Sequence, residues 1–219
     1  MLRQVPNILT FGRLVLTIVF LIMVLYAPAP DAENRAFFLD VAFVIFVIAG
    51  LTDVVDGPVA RRLNVTSKFG RMVDPLADKL LLVATLIPFL LLTARHPELG
   101  GLPLFGGVSL WVLIVFFGRE ALITWLRTAA ARRGIVVPAN TLGKRKALAQ
   151  NIFIGSMVLW IAYRTAVQER SWSGPLNDFW EGLHGWFTTV SLIIALLLTV
   201  ISLVVYLVGF SRVLRGAEA

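Results

Sequence analysis

Cysteine is absent from the 219 residues, and histidine occurs only twice. The first absence excludes a disulfide framework and a thiolate metal site. The second makes zinc a poor fit, so any metal should be hard and oxygen-ligated. Charge is scarce as well. Charged residues form 15% of the chain, against roughly 25% in an average globular protein. Too few charges remain to cover a water-facing surface, which excludes a soluble globule. Apolar residues form 58% and mean hydropathy is +0.84, which excludes intrinsic disorder. No low-complexity tract, internal repeat or linker is evident, so residues 1–219 read as one domain.

What is present is a series of apolar runs. A spanning helix needs about 20 mostly apolar residues, and six such runs occur. They cover about Ile8–Tyr26, Phe37–Asp56, Val73–Thr93, Leu104–Leu126, Ala147–Tyr163 and Phe187–Phe210. The last carries no charge. The first lacks a compact basic leader and continues too long before Ala27-Pro28-Ala29 to read as a cleaved signal peptide. The expectation is an all-α integral membrane protein with six transmembrane helices.

Twenty basic residues face thirteen acidic ones, a net charge of +7. With the N-terminus inside, 13 Lys and Arg fall in inside segments and 4 in outside loops, the remainder lying within helix ends. That asymmetry places both termini in the cytoplasm. It also removes the nucleic-acid reading of the basic excess, because the cations are split among membrane-proximal segments. Trp172, Trp180 and Trp186 gather near one interface, as an aromatic belt would.

Four carboxylates stand at the membrane edge, where ionisable groups are expensive. Asp53 and Asp56 are spaced i, i+3 at the end of the second run. Asp74 and Asp78 are spaced i, i+4 at the start of the third. Each pair shares one helix face. With about sixteen residues between the runs, the two helices can lie antiparallel and bring the four carboxylates to one depth. Their mutual repulsion requires cations, and carboxylate-only ligands favour Mg²⁺, Mn²⁺ or Ca²⁺. Capping of helix ends or pairing with Arg61, Arg62, Arg71 and Lys79 is the blander reading. It suits one aspartate better than four. Gly57 and Ala60 are small enough for a ligand to approach the backbone or for helices to pack. Arg61 suits a phosphate oxygen or a lipid headgroup. Pro58 is expected to disturb the helix after Val54.

Asp53-x-x-Asp56-Gly57-x-x-Ala60-Arg61, followed by Gly70, Asp74 and Asp78, resembles the signature of the CDP-alcohol phosphotransferase family at every fixed position. The motif covers about 26 residues, and the six-helix layout resembles the family over nearly the whole chain. The resemblance implies transfer of a substituted phosphoryl group from a CDP-linked donor to an alcohol, with release of CMP. It implies that Asp53, Asp56 and Asp74 ligate metal, that Asp78 completes the site and acts as general base, and that the cofactor is Mg²⁺ or Mn²⁺, as two ions. By the same resemblance Gly57, Ala60, Arg61, Ser67 and Gly70 belong to the donor site, and the enzyme is a homodimer of a bacterial inner membrane with its site at the cytoplasmic face. Pro6-Asn7-Ile8-Leu9-Thr10-x-x-Arg13 resembles the opening of the bacterial members that make phosphatidylglycerophosphate or cardiolipin. Asn7 either caps the first helix or, with Thr10, touches the donor headgroup.

For the acceptor, Gly118-Arg119-Glu120 interrupts the fourth run, Arg127 follows, and Leu142-Gly143-Lys144-Arg145-Lys146 opens the fifth. Arg119 lies within apolar sequence, either to meet a ligand or to pair with Glu120 or a motif aspartate. Arg132 and Arg133 suit topology. The pattern around Arg119, Arg127 and Lys144 resembles members whose acceptor itself carries phosphate. This implies CDP-diacylglycerol as donor and glycerol 3-phosphate as acceptor. Phosphatidylglycerol and an inositol phosphate are alternative acceptors. A cation transporter is the reading from another class; it predicts ionisable groups near the midplane, whereas these lie at the cytoplasmic ends.

Overall fold

The computed structural model describes residues 5–26, 35–62, 68–132 and 141–214, with side chains described over 11–26, 35–50, 79–132 and 142–213. Among the described residues every regular element is helical: α1 (Val5–Tyr26), α2 (Arg35–Arg62), α3 (Lys68–Arg95), α4 (Pro97–Gly100), α5 (Leu110–Arg132), α6 (Thr141–Arg170) and α7 (Pro175–Leu214). Six are long, and α4 is a single turn between α3 and α5.

α1 packs on α2 and α3, α6 lies against both α2 and α7, and α5 packs on α7. Aromatic contacts mark the joints. Phe20 of α1 meets Phe46 of α2 at 6.0 Å between centroids, and Phe116 of α5 meets Phe153 of α6 at 6.4 Å. α7 comes so close to α6 at Gly185 that a Cβ there would lie 3.2 Å from the Trp160 ring. Buried hydroxyls need partners in such an apolar interior. Thr17, Thr85, Thr165 and Thr199 donate to the carbonyl four residues earlier in their own helix, so no second helix need supply an acceptor.

The outside of the bundle is apolar. Phe187, Val190, Ile194, Leu197, Val200 and Ile201 of α7 are all substantially exposed, as are Ile18 and Ile22 of α1. A contiguous belt of this kind suits hydrocarbon rather than water. By length and composition, one helix among the described residues, 175–213, is long and apolar enough to cross a membrane, and Phe11–Tyr26 is a shorter apolar helix.

Four expectations need correction. The fourth run does not begin as helix at Leu104. α5 starts at Leu110, because Leu104 and Gly106 take left-handed backbone (φ 68° and 66°) that no helix continues. The fifth and sixth runs are too short: α6 and α7 extend past the apolar stretch at both ends, since helix propagation does not stop where hydrophobicity does. Pro58 does not end α2, which continues to Arg62. A proline at this position has no amide to donate to the Val54 carbonyl, and the helix runs on past it. Asn7 does not stand in front of α1 as a cap, for it is the third residue of that helix.

Candidate active site

The lining of a 530 Å³ cavity comes from the early parts of α1, α3 and α6 and the later parts of α2 and α5. A second, polar cavity of 230 Å³ is lined by the opposite parts: Arg35 of α2, Leu92 of α3, and Thr165 and Glu169 of α6. The long helices therefore alternate in direction, and the two cavities mark opposite ends of the bundle.

The first cavity is strongly cationic. Arg13, Lys79, Arg119, Arg127, Lys144 and Lys146 line it, with Glu120 the one acid among the described lining residues. Arg13 and Lys146 are buried, which is costly for cations unless they are partnered. Arg119 Nη1 donates to Glu120 Oε1 at 2.9 Å, and Lys146 Nζ donates to the same oxygen. Lys79 Nζ donates to Thr124 Oγ1 at 3.0 Å, tying α3 to α5. The Arg127 guanidinium lies 5.6 Å from the centre of the Tyr206 ring, so α7 steadies it through a cation–π contact. The arrangement is built to receive an anion with several oxygens, held by planar guanidinium and flexible ammonium groups together.

Arg119, Arg127 and Lys144, singled out in the sequence for an acceptor phosphate, all line this one cavity. Arg119 also makes the Glu120 pair that stood as its alternative. Arg132 and Arg145 are exposed and do not line it. The sequence reading did not assign Arg13, Lys79, Lys146 or Gln150 to the acceptor site. Arg13 stands between Gly12 and Leu14 in an apolar run, the same signal that drew attention to Arg119. Lys146 and Gln150 are one helical turn apart on α6 and share its cavity-facing side.

The backbone of α2 is helical through Asp53 and Asp56, and that of α3 through Asp74 and Asp78. The spacings i, i+3 and i, i+4 thus keep each pair on one side of its helix. The side chains of all four, and those of Asn7, Thr10, Gly57, Ala60, Arg61 and Gly70, lie outside the described residues, as does the whole of Ser67. Among the described residues no group of three His, Asp or Glu could hold a metal. The chain path still relates the motif to the cavity. Gly50 lines it, and Asp53 lies about 4.5 Å further along the α2 axis. Lys79 lines it, and Asp78 precedes it directly.

An apolar groove of 550 Å³ adjoins it between α2, α6 and α7, lined by Phe43, Phe46, Val47, Ile152, Leu183 and Phe187 among others. Asn151 lines both groove and cavity, so the two meet along α6. Further from the cavity, His184 Nε2 lies 3.3 Å from Ser156 Oγ, and Ser156 shares a 2.6 Å hydrogen bond with Thr188, which joins α6 to α7.

The profile of the CDP-alcohol phosphatidyltransferase family matches residues 3–214. A Mycobacterium tuberculosis (strain H37Rv) protein named "Probable phosphatidylglycerophosphate synthase" is 34% identical over 215 residues, covering 98% of this chain and 85% of that protein. The CDP-diacylglycerol–glycerol-3-phosphate 3-phosphatidyltransferase of Bacillus subtilis (strain 168) is 37% identical over 164 residues, 71% of this chain and 77% of its own. The Rickettsia bellii (strain RML369-C) protein of the same name is 31% identical over 157 residues, with 72% and 76% covered.

Proposed function

The chain belongs to the CDP-alcohol phosphatidyltransferase family, and from that premise we propose that it transfers a phosphatidyl group from CDP-diacylglycerol to glycerol 3-phosphate, giving phosphatidylglycerophosphate and CMP. The observation that carries the choice of acceptor is the cationic cavity, in which Arg119, Arg127 and Lys144 stand together beside the start of the aspartate motif. An alcohol that bears its own phosphomonoester needs cations set apart from the reacting centre. Phosphatidylglycerol, whose only phosphate is a diester, needs them less.

The chain lies in a bacterial inner membrane as one domain of six spans, both termini and the active site on the cytoplasmic side, and forms a homodimer. The all-oxygen donor set of Asp53, Asp56, Asp74 and Asp78 suits Mg²⁺ or Mn²⁺, and these four residues would hold two ions. Such ions, when bound, offset the pyrophosphate charge and stabilise the leaving phosphate. Asn7, Thr10, Gly57, Ala60, Arg61, Ser67 and Gly70 form the donor site. The donor's headgroup lies by the motif, and one acyl chain lies in the groove between α2, α6 and α7.

The cavity cations orient glycerol 3-phosphate by its phosphate, with a free hydroxyl toward Asp78. The hydroxyl oxygen bonds to the phosphatidyl phosphorus while the bond to CMP breaks, and the electron pair leaves with CMP. Asp78 takes the hydroxyl proton as charge develops on the attacking oxygen. The remaining acceleration comes from positioning and electrostatics.

Purified protein given CDP-diacylglycerol with each acceptor in turn tests this. CMP release should require glycerol 3-phosphate and a divalent cation, stop on chelation, and fall by about 10²–10⁴-fold in Asp78→Asn. A preference for phosphatidylglycerol or an inositol phosphate would overturn the acceptor. Cation flux without turnover would overturn the enzyme.

A further inference from the structure

Glu120 has no part in the proposed reaction, yet it is the acid in the lining of the cationic cavity among the described residues. Its Oε1 accepts from both Arg119 and Lys146. Those side chains are only 12% and 7% exposed, and Glu120 itself 23%. A carboxylate so placed offsets one positive charge and engages two of the six cations that line the cavity.

Resting on the reading of this cavity as the acceptor-phosphate pocket, we propose that Glu120 is a positioning residue that weakens the pocket's grip on phosphate, so that the phosphorylated product can leave. The acceptor's phosphate is not consumed. The same dianionic group occupies the pocket before and after transfer. Attraction that is equal for substrate and product lowers KM without raising kcat, and it delays release. Cations gathered around a partly enclosed cavity hold a dianion strongly. By engaging Arg119 and Lys146 through one oxygen, Glu120 competes with the incoming phosphate for both. The plainer role would be a clamp between α5 and α6, and the two roles move the kinetics in opposite directions.

The test uses full-length protein in mixed micelles with CDP-diacylglycerol, glycerol 3-phosphate as varied substrate and inorganic phosphate as competing anion. Glu120→Gln should lower KM for glycerol 3-phosphate by about tenfold, lower kcat, and shift the inorganic-phosphate inhibition midpoint down by about tenfold. Glu120→Asp, which keeps the charge, should restore wild-type values. Gln150 lines the same cavity one turn beyond Lys146. Gln150→Glu adds a second acid at nearly constant shape and should move KM and the phosphate midpoint up, which keeps the proposal testable if Glu120→Gln does not accumulate. A raised KM and weakened phosphate inhibition in Glu120→Gln, with loss of thermal stability, would show a clamp and overturn the proposal. Wild-type protein that ignores glycerol 3-phosphate but uses another acceptor would sink the acceptor reading itself, and this proposal with it.

Discussion

The cations of the large cavity differ in how firmly they are held. Arg127 is steadied by Tyr206 and Lys79 by Thr124, while Arg119 and Lys146 share Glu120. Lys144 is exposed and sits at the mouth near the start of α6. It has the most freedom to follow a phosphate in and out. A charge-assisted hydrogen bond contributes about 1.5–3 kcal/mol, so Lys144→Ala should raise KM for glycerol 3-phosphate by about 10–100-fold. KM for CDP-diacylglycerol should stay within about twofold, and initial-rate measurements with each substrate varied in turn check the split. Arg119 was legible in the sequence because a cation inside an apolar run demands a reason. Lys79 and Lys146 carried no such flag. Basic residues at helix ends are what membrane topology alone produces, and only the fold shows that these two turn into the cavity rather than toward lipid headgroups. Glu120 was legible as a partner of Arg119 but not as the partner of Lys146, because that pairing joins residues 26 apart in sequence on two helices.

α6 joins the polar and apolar halves of the proposed site. Lys144, Lys146 and Gln150 line the cavity, Asn151 lines both spaces, and Ile152 and Gly155 line the groove. At 1.5 Å rise per residue the distance from Lys146 to Gly155 is about 13 Å, a lipid headgroup and the first stretch of its acyl chain. Ile152 is 46% exposed, so a larger side chain there fills the groove without disturbing the buried core. Ile152→Trp should therefore weaken use of long-chain CDP-diacylglycerol several-fold, read as kcat/KM, and spare a short-chain analogue. Equal loss with both chain lengths would take the acyl chain out of the groove. The helices themselves were legible, because each of the six apolar runs falls on one long helix, the fourth only from Leu110 onward. Their ends were not. Hydropathy reports where lipid stops, while α6 and α7 continue beyond it, and the turn at Leu104 and Gly106 is invisible to a count of apolar residues.

At the scale of the whole molecule, the alternation of helix direction puts the cationic cavity and the Arg35–His96–Glu169 cavity at opposite ends. In a bilayer those ends would face different compartments, and the proposed function requires the cavity end, rich in Lys and Arg, to be the cytoplasmic one. The absence of cysteine makes the assignment unusually easy to examine, since each introduced thiol is the sole target. Ser173 lies exposed between α6 and α7, and Ala131 lies exposed near the end of α5. In intact cells an impermeant maleimide should label Ser173→Cys and leave Ala131→Cys unlabelled, and permeabilisation should expose Ala131→Cys. The reverse pattern would place the cavity outside, where neither a CDP-linked donor nor glycerol 3-phosphate is supplied by cytoplasmic metabolism. Labelling of both positions before permeabilisation would put them on one side and overturn the proposed crossing by α6. The topology is thus a condition on the chemistry: the aspartate motif, the cation cavity and the soluble acceptor must share one face, and two thiol positions decide whether they do.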